Sequence, residues 1–451
     1  MLPYKLINVL CGSLLLFRPT GAVDLDVDDL NSLKNATALI AYGLMDYYTG
    51  LQYGQTIGMF SNPYYWWEAG GAWGSMLDYW WYMENDTYSD IVKQALLYQT
   101  GDDHDYVPLN QSTTEGNDDQ AFWGLAVMAA AERNFSNPDP DQPQWLYLAQ
   151  AVFNTMALRW DADSCGGGLR WQIFTWNSGY DYKNSVSNGA LFHIAARLAR
   201  YTGNQSYVDW AEKVFDWMRD VGLITEGDWA FVHDGVSIDD NCTSVTPYQW
   251  TYNHGLIMAG SAYLYNFTGS EVWHNRTKEF LHSSSVFFKN GSILWEAACQ
   301  ASNTCNTDQR SFKAYFSRFL GLTAQLVPES RSQIMEWIHS SAKGAANSCS
   351  GGRDGHTCGI NWFNGSWDGF YGLGEQMAAL EIIQNVRCLD RPAPYTSTTG
   401  GSSQGDGAAG TETHPTNLSP LTITAGSRAG AGIITAVIGI SIVACAVWLV
   451  L

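Results

Sequence analysis

The chain has 451 residues and a formal net charge of −20, with 44 acidic residues against 24 lysines and arginines. A balance this acidic excludes nucleic acid and anionic lipid as direct partners, because a phosphate backbone demands a basic surface. Aromatic residues make up 14 % of the chain and charged residues only 15 %, which permits a large core with ring faces to spare for an uncharged or cationic ligand.

The first 22 residues place Lys5 ahead of an apolar run from Leu6 to Phe17 and close on Thr20-Gly21-Ala22, the layout of a cleaved secretory signal peptide. From residue 23 to residue 390 the composition is uniform and globular. About twelve segments with helical apolar spacing follow one another, beginning near Leu30, Tyr65, Ser89, Asn117, Trp145, Asn184, Tyr207, Tyr252, Val272, Gln309, Ser332 and Phe370. No comparable set of alternating strands is present. Four stretches end in Thr-Gly, at Gly50, Gly101, Gly203 and Gly269, and each is expected to stop a helix with a left-handed glycine.

Every second segment, near Trp67, Asn117, Asn188, Asn253, Phe316 and Gly372, is rich in small residues, amides and aromatics, whereas those between are ordinary amphipathic helices. Six helical hairpins with one polar and aromatic inner helix each describe an all-α, (α/α)6 barrel with a pocket at the inner helix starts. A solenoid of the same hairpins is the competing arrangement. Beyond Arg391, residues 391–430 are rich in Pro, Thr, Ser and Gly and read as a flexible stalk. Residues 431–451 form an uncharged apolar run with no basic cluster after it, which favours a GPI-attachment signal over a permanent membrane span. Asn-x-Ser/Thr acceptors at Asn35, Asn85, Asn110, Asn134, Asn204, Asn241, Asn266, Asn275, Asn290, Asn364 and Asn417 fit a glycosylated protein anchored at the cell surface. In that oxidising compartment Cys299 with Cys305 and Cys349 with Cys358 are expected as local disulfides, and the odd cysteine count in the body leaves one thiol over.

The chemistry concentrates at Glu115-Gly116-Asn117-Asp118-Asp119-Gln120, which opens a helix that at once becomes Ala121-Phe122-Trp123-Gly124 and then nearly pure aliphatic. Capping accounts for one acid at a helix start. It does not account for two neighbouring acids beside aromatic rings, where solvation is being given up. Retaining glycosyl transfer needs two carboxyl groups close together, one ionised as nucleophile and one protonated as acid. The positive helix end favours the first state, and burial beside a like charge favours the second. Asp118 is read as nucleophile and Asp119 as acid/base, an order that the residues alone do not exclude reversing. Expected sugar contacts at neighbouring helix mouths are Trp67, Asn117, Gln120, Arg170, Trp171, Asn184, Asn188, Tyr252, Asn253 and Arg318, which offer ring faces or fork-like donors. The histidines show no zinc-ligand spacing, and the run Gly166 to Gly168 leads into no phosphate-loop Lys-Ser/Thr. Neither a metal nor a cofactor is therefore expected.

The Asn-Asp-Asp-Gln element, together with Trp66-Trp67-Glu68-Ala69-Gly70, Gly167-Gly168-Leu169-Arg170-Trp171-Gln172 and Tyr252-Asn253-His254-Gly255, resembles glycoside hydrolase family 76, and most of all its fungal GPI-anchored branch. The resemblance spans about residues 24–390. It implies an (α/α)6 fold, a retaining endo-α-1,6-mannosidase and the two acids in the roles just given. It also implies transfer as an alternative to hydrolysis, with α-1,6-linked mannan or GPI-glycan mannose chains as donor and cell-wall polysaccharide as acceptor. A non-catalytic glycan-binding or wall-scaffold protein with the same groove is the reading from a different class.

Overall fold

The computed structural model describes residues 21–227, 229–411 and 425–450. The expected signal peptide lies outside the described residues up to residue 20, as does the acceptor Asn417. In chain order the helices are α1 (Leu30–Met45), α2 (Trp66–Met83), α3 (Ser89–Tyr98), α4 (Asn117–Glu132), α5 (Trp145–Leu158), α6 (Ser185–Thr202) and α7 (Gln205–Asp220). They continue with α8 (Thr251–Thr268), α9 (Glu271–Ser283), the single turn α10 (Ala297–Gln300), α11 (Phe312–Leu326), α12 (Arg331–Ser348), α13 (Leu373–Gln384) and α14 (Ala425–Val450).

Helix α2 packs on α4, α4 on α6, α6 on α8, α8 on α11, α11 on α13, and α13 returns to α2. That closure makes the molecule an (α/α)6 barrel and rejects the open solenoid. The inner helices are apolar or small nearly all round because both faces are covered. An outer helix such as α7 buries only one stripe, from Tyr207 to Met218. Glycines let the inner helices approach closely: a Cβ on Gly71 of α2 would lie 2.3 Å from the Tyr315 hydroxyl of α11.

Below the pocket each inner helix contributes one polar side chain to a buried network along the barrel axis. Arg318 of α11 binds Asp78 of α2 at 2.9 Å and Glu381 of α13 at 2.6 Å. Arg197 of α6 binds Glu132 of α4 at 2.6 Å, and the Tyr263 hydroxyl of α8 donates to the same Glu132 oxygen at 3.1 Å. Arg133, just past α4, pairs with Asp78. Charges buried this deeply persist only when paired, and these pairs tie all six inner helices together.

Of the four Thr-Gly stops, Gly203 and Gly269 cap α6 and α8 in the left-handed conformation, at φ 74° and 68°. Gly101 is left-handed but lies two residues beyond the α3 cap at Gln99. Gly50 has no positive φ, because α1 already ends at Met45 and the chain turns through Tyr47 and Tyr48. Two small antiparallel sheets also form. Strands β1 (Tyr182–Asn184), β2 (Gly235–Ser237) and β3 (Val245–Thr246) pair in that order, and β4 (Phe288–Lys289) pairs with β5 (Ile293–Leu294). At two or three residues each they are too short to show an alternating pattern in sequence.

Disulfides join Cys299 to Cys305 and Cys349 to Cys358, and a third joins Cys165 to Cys242. The remaining body thiol, Cys388, is buried.

Residues 391–411 are an ordered strap and not a free stalk. Tyr395 N–H donates to the Glu132 carbonyl at 2.7 Å, Ser397 N–H to the Tyr201 carbonyl at 3.0 Å, and Leu146 N–H to the Ser403 hydroxyl at 2.9 Å. The strap then runs along α5, where Asn154 donates to the Ala409 carbonyl at 2.8 Å. Small residues that build no core of their own lie flat against another element: a Cβ on Gly405 would meet the Gln150 side chain at 1.9 Å. Asn134, expected as a glycan acceptor, donates to the Gly400 carbonyl and accepts from Ser402 N–H, the latter at 2.8 Å. Residues 412–424 of the expected stalk lie outside the described residues. On α14 the apolar side chains Ile433, Ile434, Val437, Ile438, Ile440 and Ile442 are exposed.

Candidate active site

A cavity of about 500 Å³ opens at the N-terminal ends of the inner helices, within the usual range for small-ligand sites. Asp118 and Asp119, in the first turn of α4, lie at its floor with Phe122 one turn further on. Trp67 of α2, Tyr252 of α8 and Phe312 at the start of α11 supply aromatic walls, and the Tyr252 ring stacks on Phe312 at 3.8 Å. Strand β1 adds Tyr182 and Asn184, the residue before β2 adds Asp234, and the loop after α5 adds Trp171 and Gln172.

The acid pair is set by its own backbone. Gly116 N–H donates to Asp119 Oδ2 at 2.6 Å, and Asn117 N–H donates to the Trp171 carbonyl at 2.8 Å. Burial pushes Asp118 up to about 7, opposed by backbone and Trp171 hydrogen bonds and reinforced by the Asp308 charge. Burial, and after it the charge of Asp118, holds Asp119 well above the usual carboxylate range. The two titrate as a unit, in which one member keeps its proton while the other ionises. Behind them Glu115 is buried and also held well up, by burial and then by Asp119. Such a pair is able to donate a proton and to attack as an anion in the same cavity.

Gly116 is where this geometry is most exposed to change. An added Cβ would lie 2.2 Å from Asp118 Oδ1, 2.9 Å from Asp119 Oδ2 and 2.9 Å from the Trp171 carbonyl oxygen. The backbone at Gly116, φ −103° and ψ 168°, is open to any residue, so a methyl there adds no dihedral strain of its own but presses on both acids and on the Trp171 carbonyl. Gly116→Ala is expected to lower kcat/KM about a hundredfold, the scale of an ångström misplacement of reacting groups. Its melting temperature should fall by only a few degrees as the Trp171 carbonyl gives way, and kinetics with calorimetry on the same preparation check both halves.

Of the residues expected from sequence, Asp118, Asp119, Trp67, Trp171, Asn184 and Tyr252 meet at the cavity. The other six do not line it. Arg318 is held in the axial ion network, one of the few places where its buried charge is compensated. Asn117 donates to the Arg170 carbonyl at 2.8 Å and accepts from Arg159, while Gln120 donates to the Asp105 carbonyl at 2.6 Å. Arg170 pairs with Asp161 at 2.8 Å and lies over the Tyr180 ring. Asn188 clamps Leu169 through its backbone N–H and carbonyl at 2.7 and 3.0 Å. Asn253 is buried on α8. Amides near a helix mouth thus hold the loops that form the cavity, and their distance from the sugar site depends on which side of the helix they occupy.

Sequence reading missed Asp234 and Asp308. Asp234 accepts from the Tyr182 hydroxyl at 2.6 Å and the Trp250 indole at 2.7 Å. Asp308 accepts from the Trp67 indole at 3.2 Å, and burial raises it to about 6. Asp308 lies four residues before α11, so the helix-mouth rule applied to that helix would have found it. Nothing local marks Asp234, which reaches the cavity only through pairing in the short sheet. Among the described residues no lysine, arginine or histidine lines the cavity.

Residues 32–398 match Glycosyl hydrolase family 76. The chain is 75 % identical over 450 residues to the mannan endo-1,6-alpha-mannosidase DCW1 of Saccharomyces cerevisiae, covering 100 % of both chains. It is 54 % identical over 449 residues to mannan endo-1,6-alpha-mannosidase DFG5 of the same yeast, covering 99 % of this chain and 98 % of that one. The crystal structure of Dfg5 from Chaetomium thermophilum in complex with glucosamine superposes with a TM-score of 0.82 at 37 % identity, covering 86 % of this chain and 97 % of that one. The GH76A α-1,6-mannanase of Salegentibacter shares the fold, with a TM-score of 0.64 at 17 % identity over 79 % of this chain and 99 % of that chain.

Proposed function

Since the chain belongs to Glycosyl hydrolase family 76, we propose that it cleaves α-1,6-linked mannose chains with retention of configuration and passes the glycosyl group to water or to a wall polysaccharide. Asp118 attacks the anomeric carbon, and Asp119 protonates the departing oxygen and then deprotonates the acceptor. The observation that carries this reading is the cavity floor, where the neighbouring carboxyls of Asp118 and Asp119 open α4 beside aromatic walls, and burial raises both.

The donor is a glycan with a free amine, as in the glucosamine-bearing mannose core of a GPI anchor. Beside the protonated Asp119, the aspartates Asp118, Asp234 and Asp308 line the cavity with no lysine, arginine or histidine among the described residues there to offset them, which favours a positively charged sugar. The glucosamine complex of the Chaetomium relative supports the same preference. The enzyme works at the outer cell surface, delivered by its signal peptide and held by a GPI anchor added in place of the terminal apolar segment.

Incubation with a defined α-1,6-mannooligosaccharide, and with a mannosyl glucosamine glycan before and after N-acetylation, tests this. The first product should be the α-anomer, and N-acetylation should lower kcat/KM. A β-anomer would reject retention, and indifference to acetylation would reject the amine preference.

The acidic limb of the pH profile supplies a second check. Asp118 must be ionised to attack, so activity falls as pH drops through the pair's first ionisation, which the Asp308 charge helps to raise. Asp308→Asn removes that charge and is expected to move the acidic limb of kcat/KM to lower pH, measured with the parent in parallel.

A further inference from the structure

The loop that walls the cavity carries a second tryptophan the mechanism does not use. Trp171 lines the cavity itself, with its ring flat against the backbone of Gly179, where an added Cβ would lie 2.3 Å from the ring. Five residues on, Trp176 is 55 % exposed. An exposed indole is ordinarily free to rotate, yet this one is fixed on two sides. It stacks on Phe174, itself buried, at 4.9 Å and 29°, and its Nε1 donates to the Ser112 carbonyl at 3.1 Å.

Both anchors lie within a few residues of cavity-lining positions. Ser112 immediately precedes the cavity residues Thr113 and Thr114, and Asn177 and Ser178 beside Trp176 line the cavity as well. The same loop is joined to the segment entering α4 by Ile173 N–H to the Glu115 carbonyl at 3.2 Å. Trp176 is thus an apolar face held rigid at the rim, continuous with the cavity and flanked by hydroxyl and amide groups. A pyranose ring presents an apolar C–H face and a polar edge to such a surface, and a preordered ring binds it without the entropic cost of ordering a mobile one.

We infer that Trp176 is the stacking platform for the sugar ring next outside the cavity, and so sets the preference for chain length over a single bound sugar. This inference rests on the glycan-cleaving reading given above. Trp176 positions substrate and takes no part in bond making.

The test uses the full-length protein, with Trp176→Ala and Trp176→Phe beside the parent, and reduced α-1,6-linked mannooligosaccharides from two to five units. In the parent, kcat/KM should rise with chain length. Trp176→Ala should remove about tenfold of that rise, the scale of one aromatic contact, through KM and not kcat, while leaving the shortest cleaved substrate unchanged. Trp176→Phe, which keeps a ring face, should recover part of it. An equal loss at every length would overturn the inference in favour of a loop-bracing role, as would no loss at any length. If the parent cleaves none of these glycans, the functional reading fails on its own. Calorimetric binding of the same glycans then decides: a length-dependent affinity lost in Trp176→Ala upholds the platform, and an unchanged affinity removes it.

Discussion

Asp118→Asn should lower kcat for an α-1,6-mannooligosaccharide by at least about four orders of magnitude, because an amide neither attacks the anomeric carbon nor leaves from it. Asp119→Asn should lose about 10²–10⁴-fold, the scale of general acid catalysis. The two variants differ in their rescue. A donor with an activated leaving group needs no proton, so it should restore the first half-reaction in Asp119→Asn and accumulate a glycosyl-enzyme. Asp118→Asn should form no such adduct with any donor. Mass spectrometry of protein quenched with a fluorosugar reads this directly, and an ester on Asp119 would reverse the assignment. Both variants should fold, since Gly116 N–H retains an amide oxygen to donate to at position 119.

Arg318→Met should act in the opposite way, on stability with little effect at the sugar site. Its guanidinium is 5 % exposed and lies between Asp78 and Glu381, both fully buried, with Ser75 as a further acceptor at 3.2 Å. Removing it leaves Glu381 without its ionic partner, and Asp78 with Arg133 alone. Loss of one member of a buried pair costs about 3–5 kcal/mol, which lowers the melting midpoint of a domain this large by roughly 5 °C. KM for the glycan measured well below that midpoint should be unchanged. A raised KM at full stability would instead put Arg318 in contact with the sugar, as its place on an inner helix suggested from sequence.

The contrast between these substitutions reflects what each residue's neighbours contribute. Asp118 and Asp119 were legible because their setting is local: two acids, one glycine before them and an all-apolar helix after them define a charged mouth on a buried element. The six inner helices were legible for a related reason. A helix covered on every side leaves no polar stripe, and that composition recurs at each hairpin whatever the loops do. The boundaries followed, so that predicted starts near Leu30, Ser89, Asn117 and Trp145 coincide with the observed first residues.

Side-chain destinations were not legible in the same way. Arg318, Asn188 and Trp171 are all polar or aromatic groups expected at inner helix mouths, yet one braces the axis, one clamps a loop and one walls the cavity. Composition fixes which residue types an inner helix bears, but the face each turns to the axis depends on helix rotation within the closed ring. Likewise the Pro-, Ser- and Gly-rich stretch after Arg391 reads as unstructured because it has no core of its own. Its order comes from the surface it lies on, through bonds to Glu132, Tyr201 and Leu146 far away in the chain.

The amino-acid sequence by itself therefore determined the six-fold alternation of helical hairpins and the acid pair, since both depend on contacts within one helix or one hairpin, whereas closure into a barrel rests on α13 packing back onto α2. Tertiary structure alone decided the anionic character of the cavity, by bringing Asp234 and Asp308 to Asp118 from segments more than a hundred residues away. Charges that distant in the chain interact only once the ring has closed, because Coulomb energy depends on separation in space and on the burial that removes water from between them.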